Sequence, residues 1–89
     1  MELEQLRIFL AVAEQKGFSA AAKVLFVSHS TTCRAVAALE RELGTPLFVR
    51  DTRSVALTPA GETLKAEAEK ILAMAEAAKE KVRNEEKET

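Results

Sequence analysis

The chain has few of the residues that stabilise most small folds. Its 89 residues include no tryptophan, no tyrosine and four phenylalanines, so its core has to be built from aliphatic side chains, many of them alanine. A chain of this length forms one domain at most, and small domains bury too little surface to be strongly stable alone. We therefore expect burial against a second copy of the chain to contribute to its stability.

The residues that usually carry chemistry are also scarce. The chain has one cysteine, Cys33, and one histidine, His29. A single cysteine excludes an internal disulfide, and the sequence lacks the regularly spaced cysteine and histidine ligands of a structural zinc site. Glu40 and Glu42 project from different sides of a predicted helix and cannot act as a catalytic pair. We therefore expect no enzyme, no metal and no cofactor.

No apolar run approaches the length of a membrane span. The first residues, MELEQLR, are acidic and amphipathic, unlike a secretory signal. The sequence therefore predicts a protein without membrane contact, located in the cytoplasm.

Charge is unevenly distributed. The net charge is −1; residues 1–58 hold seven basic and six acidic side chains, and residues 59–89 hold six basic and eight acidic ones. Strong nonspecific nucleic-acid binders usually have a dense basic face. Any such binding here would depend on a few arginines, with a modest affinity per subunit that dimerisation has to multiply.

Two helices are predicted before residue 26. Leu3 to Gln15 carries its apolar residues on one helical face. Gly17 is expected to end this helix in the left-handed conformation. Ser19 is the expected N-cap of a short helix from Ala20 to Leu25.

A third helix is predicted from His29 to Leu43, with Ser28 as its N-cap and Gly44 as its end. Val36, Leu39 and Leu43 are expected to face the core. The opposite face carries short polar groups, alanines and two arginines: Ser30, Arg34, Ala37, Ala38 and Arg41. Such a face allows close approach to another surface, whereas a solvated face would carry more lysine and glutamate.

The segments LFVR and VALT predict two short strands around the loop 51–54, which lacks the glycines of a tight primed turn and should be wider. Thr58 and Pro59 then predict the N-cap and first residue of a long last helix reaching the mid-eighties. Its apolar residues are spaced alternately four and three positions apart, the heptad pattern of a helix-pairing seam. The candidate dimer interface comprises Leu64, Ala68, Ile71, Leu72, Ala75, Ala78 and Val82.

A helix–turn–helix followed by a basic two-stranded wing resembles the DNA-binding region of the LysR-type transcriptional regulators. The matching residues are Ala21, Ala22, Leu25, Ser28, Leu39, Glu40, Leu43, Gly44, Leu47, Phe48, Arg50, Arg53, Leu57, Thr58, Ala60 and Gly61. The family's Gln-Pro at the start of the third helix is replaced by His29-Ser30. We therefore expect a base preference that differs from that of its relatives.

The resemblance implies a mainly α fold: a winged helix-turn-helix domain over residues 1–58 (three helices and a two-stranded wing), then a long linker helix for dimerisation over residues 59–89, frayed at its end. It implies a transcriptional regulator that binds double-stranded DNA sequence-specifically, at an interrupted palindrome, as a homodimer, and that is therefore associated with the nucleoid. The residues expected to contact DNA are His29, Ser30, Thr31, Cys33, Arg34, Arg50 and Arg53. A small-molecule effector is expected only with a further C-terminal domain, which family members have and which is absent from this chain.

Other interpretations remain. SHSTT could be a capping sequence alone, Arg50 could brace the hairpin, and Cys33 could be an inert side chain. The last helix could simply cover its own domain. The alternative functions are a winged-helix domain of the molybdate-regulator kind and a dimerising protein-interaction module that does not bind DNA.

Overall fold

The computed structural model describes residues 1–51 and 54–88, with side chains described as far as residue 85. This part of the chain contains four helices and one two-stranded sheet, the mainly helical architecture that the sequence predicts. The elements are α1 (Leu3–Gln15), α2 (Phe18–Leu25), α3 (His29–Leu43), β1 (Phe48–Arg50), β2 (Val55–Leu57) and α4 (Pro59–Glu88). No helix within it is long and apolar enough to cross a membrane.

Helix α1 lies at the centre of the domain and packs against α2, α3 and α4. Because it has neighbours on several sides, it buries four apolar residues: Leu6, Ile8, Phe9 and Val12. Phe9 also contacts the ring of Phe48 on β1, with 5.3 Å between ring centroids. Burying a large apolar side chain contributes about 1.5–3 kcal/mol, so this α1 cluster is the main stabilising feature.

The connection between α1 and α2 differs from the prediction. Lys16, not Gly17, adopts the left-handed conformation (φ 58°), and Gly17 is extended with φ −178°. Gly17 is the N-cap of α2, which begins at Phe18, so Ser19 lies inside the helix rather than capping it. Because α2 starts earlier, the ring centroid of Phe18 lies 5.9 Å from that of Phe48. This core contact outweighs the preference of Ser19 for the N-cap position.

Helix α3 has the predicted bounds, from the Ser28 N-cap to the left-handed Gly44 (φ 70°). Val36 and Leu39 are fully buried, but Leu43 is 44% exposed, so its predicted core position is wrong. Leu43 lies in the last turn, above an open groove beside the start of α4, where no element of the described part of the chain covers it. Thr32 is fully buried, a position that the apolar pattern missed.

The two strands form an antiparallel hairpin in which Arg50 pairs with Val55. The N–H of Asp51 donates to the carbonyl of Ser54 at 3.0 Å. Thr52 and Arg53 lie outside the described residues, so both the expected wide turn and the predicted DNA contact of Arg53 fall there.

Helix α4 begins at the predicted cap: the Gly61 N–H donates to the Thr58 hydroxyl at 3.0 Å. Leu64 and Ala68 are buried in the core of their own chain and offer no surface to a second copy. Both therefore have to be removed from the predicted dimer interface. Further along, Met74 is 74% exposed and Val82 is 60% exposed. The first turns of α4 therefore complete the domain, and its second half projects beyond it, giving overall extents of 55 × 25 × 19 Å.

Candidate nucleic-acid interface

The face of α3 opposite its buried residues is open to solvent. Ser30, Arg34, Ala37 and Arg41 are exposed, and Ala38 is half-buried. These positions follow the helical repeat, so they form one continuous strip along the helix. The strip contains two long cationic side chains among small ones, which allows another surface to approach the helix closely.

The N-terminal turn of α3 is held by its own hydroxyl groups. The Thr31 N–H donates to the Ser28 hydroxyl oxygen at 3.0 Å, and the Ser28 hydroxyl donates to the Thr31 hydroxyl at 2.9 Å. The buried Thr32 hydroxyl donates to the Ser28 carbonyl at 3.1 Å. Ser28 and Thr31 therefore form the helix cap, and the helix start is well anchored although the expected Gln-Pro is replaced by His29-Ser30.

His29 and Ser30 are not used by the cap and remain exposed. Both lie in the first turn of α3, where the free N–H groups and the helix dipole favour a phosphate or another anion. Cys33 is half-buried, and its sulfur lies 3.7 Å from Nδ1 of His29 on one flank of the exposed strip. The structure thus brings His29, Ser30, Cys33 and Arg34 to one end and one side of the helix.

The acidic and the basic side chains of α3 differ in their ion pairing. Glu42 pairs with the N-terminal amine of Met1 at 2.9 Å, and Glu40 pairs with Arg50 at 3.3 Å. Arg34 and Arg41 have no ion pair within residues 1–51 and 54–85. The exposed strip therefore carries unneutralised positive charge, although the whole chain has a net charge of −1.

Arg50 has a different environment from the α3 arginines. Its guanidinium donates to Glu40 at 3.3 Å and lies 4.8 Å from the ring centroid of Phe18, a cation–π distance. The side chain is still 52% exposed. These contacts join β1 to α2 and α3, which favours the alternative that Arg50 braces the hairpin.

Sequence reasoning missed two residues at this site. The structural role of Glu40 is not predicted by the sequence: its carboxylate accepts hydrogen bonds from both the Leu47 N–H and Arg50. Local sequence patterns do not predict Leu47 and Arg50 as partners of Glu40, because both residues come after the turn that ends α3. The second residue is Phe26, in the turn before α3, which is 94% exposed and has a positive φ of 58°. The left-handed conformation is common at the end of a helix, but glycine or asparagine usually adopts it, so a phenylalanine there is not expected from the sequence.

The fold and this site together define a winged helix–turn–helix protein. Residues 3–62 match the family described as "Bacterial regulatory helix-turn-helix protein, lysR family". The match covers most of the chain, and the chain belongs to this family.

Known proteins agree with this assignment. The chain is 51% identical over 83 residues to the HTH-type transcriptional regulator BudR of Klebsiella aerogenes, covering 93% of this chain and 58% of BudR. The crystal structure of the CbnR_DBD–DNA complex is similar, with a TM-score of 0.91, 40% identity and coverage of 94% of this chain and 97% of that one. The BenM_DBD/catB site 1 DNA complex has a TM-score of 0.90, 34% identity and coverage of 94% and 93%.

The chain is shorter than the curated relatives it matches. It spans 58% of the length of that BudR, 29% of the BudR of Raoultella terrigena and 24% of the activator IlvY of Salmonella typhimurium. The similarity therefore concerns the winged helix–turn–helix region and the helix that follows it.

Proposed function

We propose that this chain is the DNA-binding part of a transcriptional regulator and that it binds specific double-stranded DNA through the exposed strip of α3. One observation carries the proposal: Arg34 and Arg41 are exposed and unpaired in the described part of the chain, while both glutamates of α3 are engaged elsewhere. A helix with a narrow cationic strip flanked by small residues fits the major groove. Two neighbours of this chain, CbnR_DBD and BenM_DBD, were solved as DNA complexes, which supports the proposal.

Each residue of the site has a proposed role. Arg34 reads a guanine through its two-pronged guanidinium, as arginine in the major groove commonly does. His29, Ser30 and Thr31 contact phosphate at the N-terminus of α3, and Cys33 lies against the flank of the groove. Arg53 contacts the DNA backbone or the minor groove from the wing, and Arg50 has mainly a positioning role.

The second half of α4 supplies the proposed dimer interface. Of the predicted interface residues, Ile71 and Leu72 are half-buried against the core of their own chain and can offer a second copy only their exposed parts. Ile71, Ala75, Ala78 and Val82 share one helical face with Met74, which the sequence did not single out, and Met74, Ala78 and Val82 are exposed among the described residues. A second copy pairing along this apolar face would hold two α3 helices apart. Two-fold symmetry in the protein then predicts an interrupted palindrome in the DNA. The expected location is the cytoplasm, in association with the nucleoid.

The test is selection of binding sites from a random duplex DNA pool at low salt, using protein whose folding and mass in solution are checked first. The expected result is a two-fold symmetric motif with half-sites about one helical turn (roughly 10 base pairs) or more apart. The control is the variant Arg34→Ala/Arg41→Ala, which should enrich no motif while remaining folded. A folded, dimeric native protein that enriches nothing would favour the interaction module, which the slightly acidic net charge also fits.

A further inference from the structure

The only histidine and the only cysteine of the chain lie together on the flank of α3. His29 and Cys33 are separated by four positions, which places their side chains on adjacent turns of the same side of the helix. The Cys33 sulfur is 3.7 Å from Nδ1 and 3.9 Å from Nε2 of His29. His29 is exposed and Cys33 is half-buried, so solvent reaches the pair.

This separation suits a shared metal ion. A tetrahedral zinc ion about 2.3 Å from a thiolate and about 2.0 Å from an imidazole nitrogen sets these two ligand atoms about 3.5 Å apart. A small rotation of the exposed imidazole would bring either nitrogen to that separation. Thiolate and imidazole are the ligands that soft and borderline metals prefer.

We propose that His29 and Cys33 chelate one thiophilic divalent cation, such as Zn²⁺ or Cd²⁺, and that the bound ion competes with DNA. No group of three metal-binding side chains occurs in the part of the chain that the structure describes, so water completes the coordination. The first turn of α3 carries no acidic residue, which makes the site unsuited to hard cations such as Mg²⁺. The competition rests on the proposed function, because both ligands border the exposed strip of α3.

The chelate is tested by titrating the DNA-free protein with Cd²⁺ under a non-thiol reductant and following the thiolate-to-metal absorbance. One Cd²⁺ per chain is expected. His29→Ala should weaken binding roughly tenfold or more, because the second ligand no longer acts within the same molecule. A matched control, Cys33→Ser with Ala37→Cys, keeps one thiol and one imidazole but sets them two helical turns apart, and it should weaken binding similarly. Circular dichroism checks that each variant is folded. Equal Cd²⁺ affinity in the native protein and these two variants would overturn the chelate.

The competition is tested with the duplex DNA that the native protein selects. Saturating Cd²⁺ should lower the DNA affinity of the native protein by roughly tenfold or more, an effect of the size of one lost base contact. The same addition should leave the DNA affinity of His29→Ala at its own metal-free value. An unchanged native affinity at saturation overturns the competition. If the metal-free protein binds no DNA, the proposed function fails, and the Cd²⁺ titration still decides whether the chelate exists.

Discussion

The Glu40 carboxylate joins α3 to the wing through the Arg50 guanidinium, with 3.3 Å between Arg50 nitrogen and Glu40 oxygen. The other Glu40 oxygen accepts a hydrogen bond of 2.8 Å from the partly buried N–H of Leu47. The guanidinium also lies over the ring of Phe18 at the start of α2. These contacts connect both helices of the helix–turn–helix to the first strand, so one acidic side chain contributes, beside the core packing of Phe48, to the orientation of the wing relative to α3.

Removing that side chain should destabilise the domain. Glu40→Ala leaves the Leu47 N–H without its acceptor, and we expect the free energy of unfolding to fall by about 1–3 kcal/mol. Urea denaturation measures it. Glu42→Ala is the matched control, because Glu42 pairs with the N-terminal amine at an exposed site and should change stability by about 0.5 kcal/mol or less. Equal effects of the two substitutions would show that Glu40 is not the connection described.

Gly61 should not tolerate a side chain. A Cβ at this position would collide with the carbonyl oxygen of Leu47, which is held by a 3.0 Å hydrogen bond from the Thr58 N–H. We expect Gly61→Ala to lower the free energy of unfolding by about 1–3 kcal/mol, as overpacking does.

The control for Gly61 is Gly17→Ala. Nothing lies within 4 Å of a Cβ there, and the backbone is extended. The weaker N-cap and the smaller entropy of the unfolded chain oppose each other, so the change should stay within about 0.5 kcal/mol. Thermal or urea unfolding of the two variants decides the comparison, and a tolerated Gly61→Ala would contradict the tight approach of α4 to Leu47.

Phe26→Asn should stabilise the protein. The left-handed conformation costs roughly 1 kcal/mol for an ordinary residue and less for asparagine, and the Phe26 ring is almost fully exposed. We expect the free energy of unfolding to rise by about 0.5–1 kcal/mol. Val24→Asn, an exposed apolar position in α2 with ordinary helical geometry, should give no gain. A loss of stability in Phe26→Asn would mean that the ring makes stabilising contacts in solution.

The arginines should separate into three roles in DNA-binding measurements. Arg34→Ala should weaken binding by about 1–3 kcal/mol and relax the preference at one base pair. Arg53→Ala should weaken binding to all sequences and reduce the salt slope by about 1. Arg50→Ala should mainly lower stability. Lys81→Ala, on the far part of α4, is the control, and intact binding in the Arg34 and Arg53 variants would favour the interaction module.

The dimer interface can be disrupted without disturbing the core. Met74 is the most exposed large apolar residue on α4 among those described, so Met74→Glu should leave the fold intact and shift the chain from dimer to monomer. Light scattering measures the mass in solution. Ala73→Glu introduces the same charge at an exposed position on the opposite face of α4 and should leave the dimer unchanged. A dimer that survives Met74→Glu would contradict pairing through this face.

Local patterns predicted the elements well, because their signals lie within a few residues of each other. The Ser28 cap, the Gly44 end and the Thr58-Pro59 start were read directly from residue preferences. The start of α2 lies two residues before the predicted one, because a core contact of Phe18 outweighs the capping preference of Ser19. Leu43 was misassigned because helical periodicity identifies a face and cannot tell where a neighbouring element stops covering it.

The sequence by itself determined the helix–turn–helix, the wing, the long last helix and the family, since these follow from capping, periodicity and a pattern of residues in register. Only the tertiary structure decided which charges remain available. It engages Glu40 and Glu42 with Arg50 and Met1 and leaves the α3 arginines without an ion pair among the described residues. It also divides α4 into a first half that packs on the domain and a second half that is exposed. The physical reason is that ion pairing and burial depend on groups distant in the chain, which meet only when the helices pack.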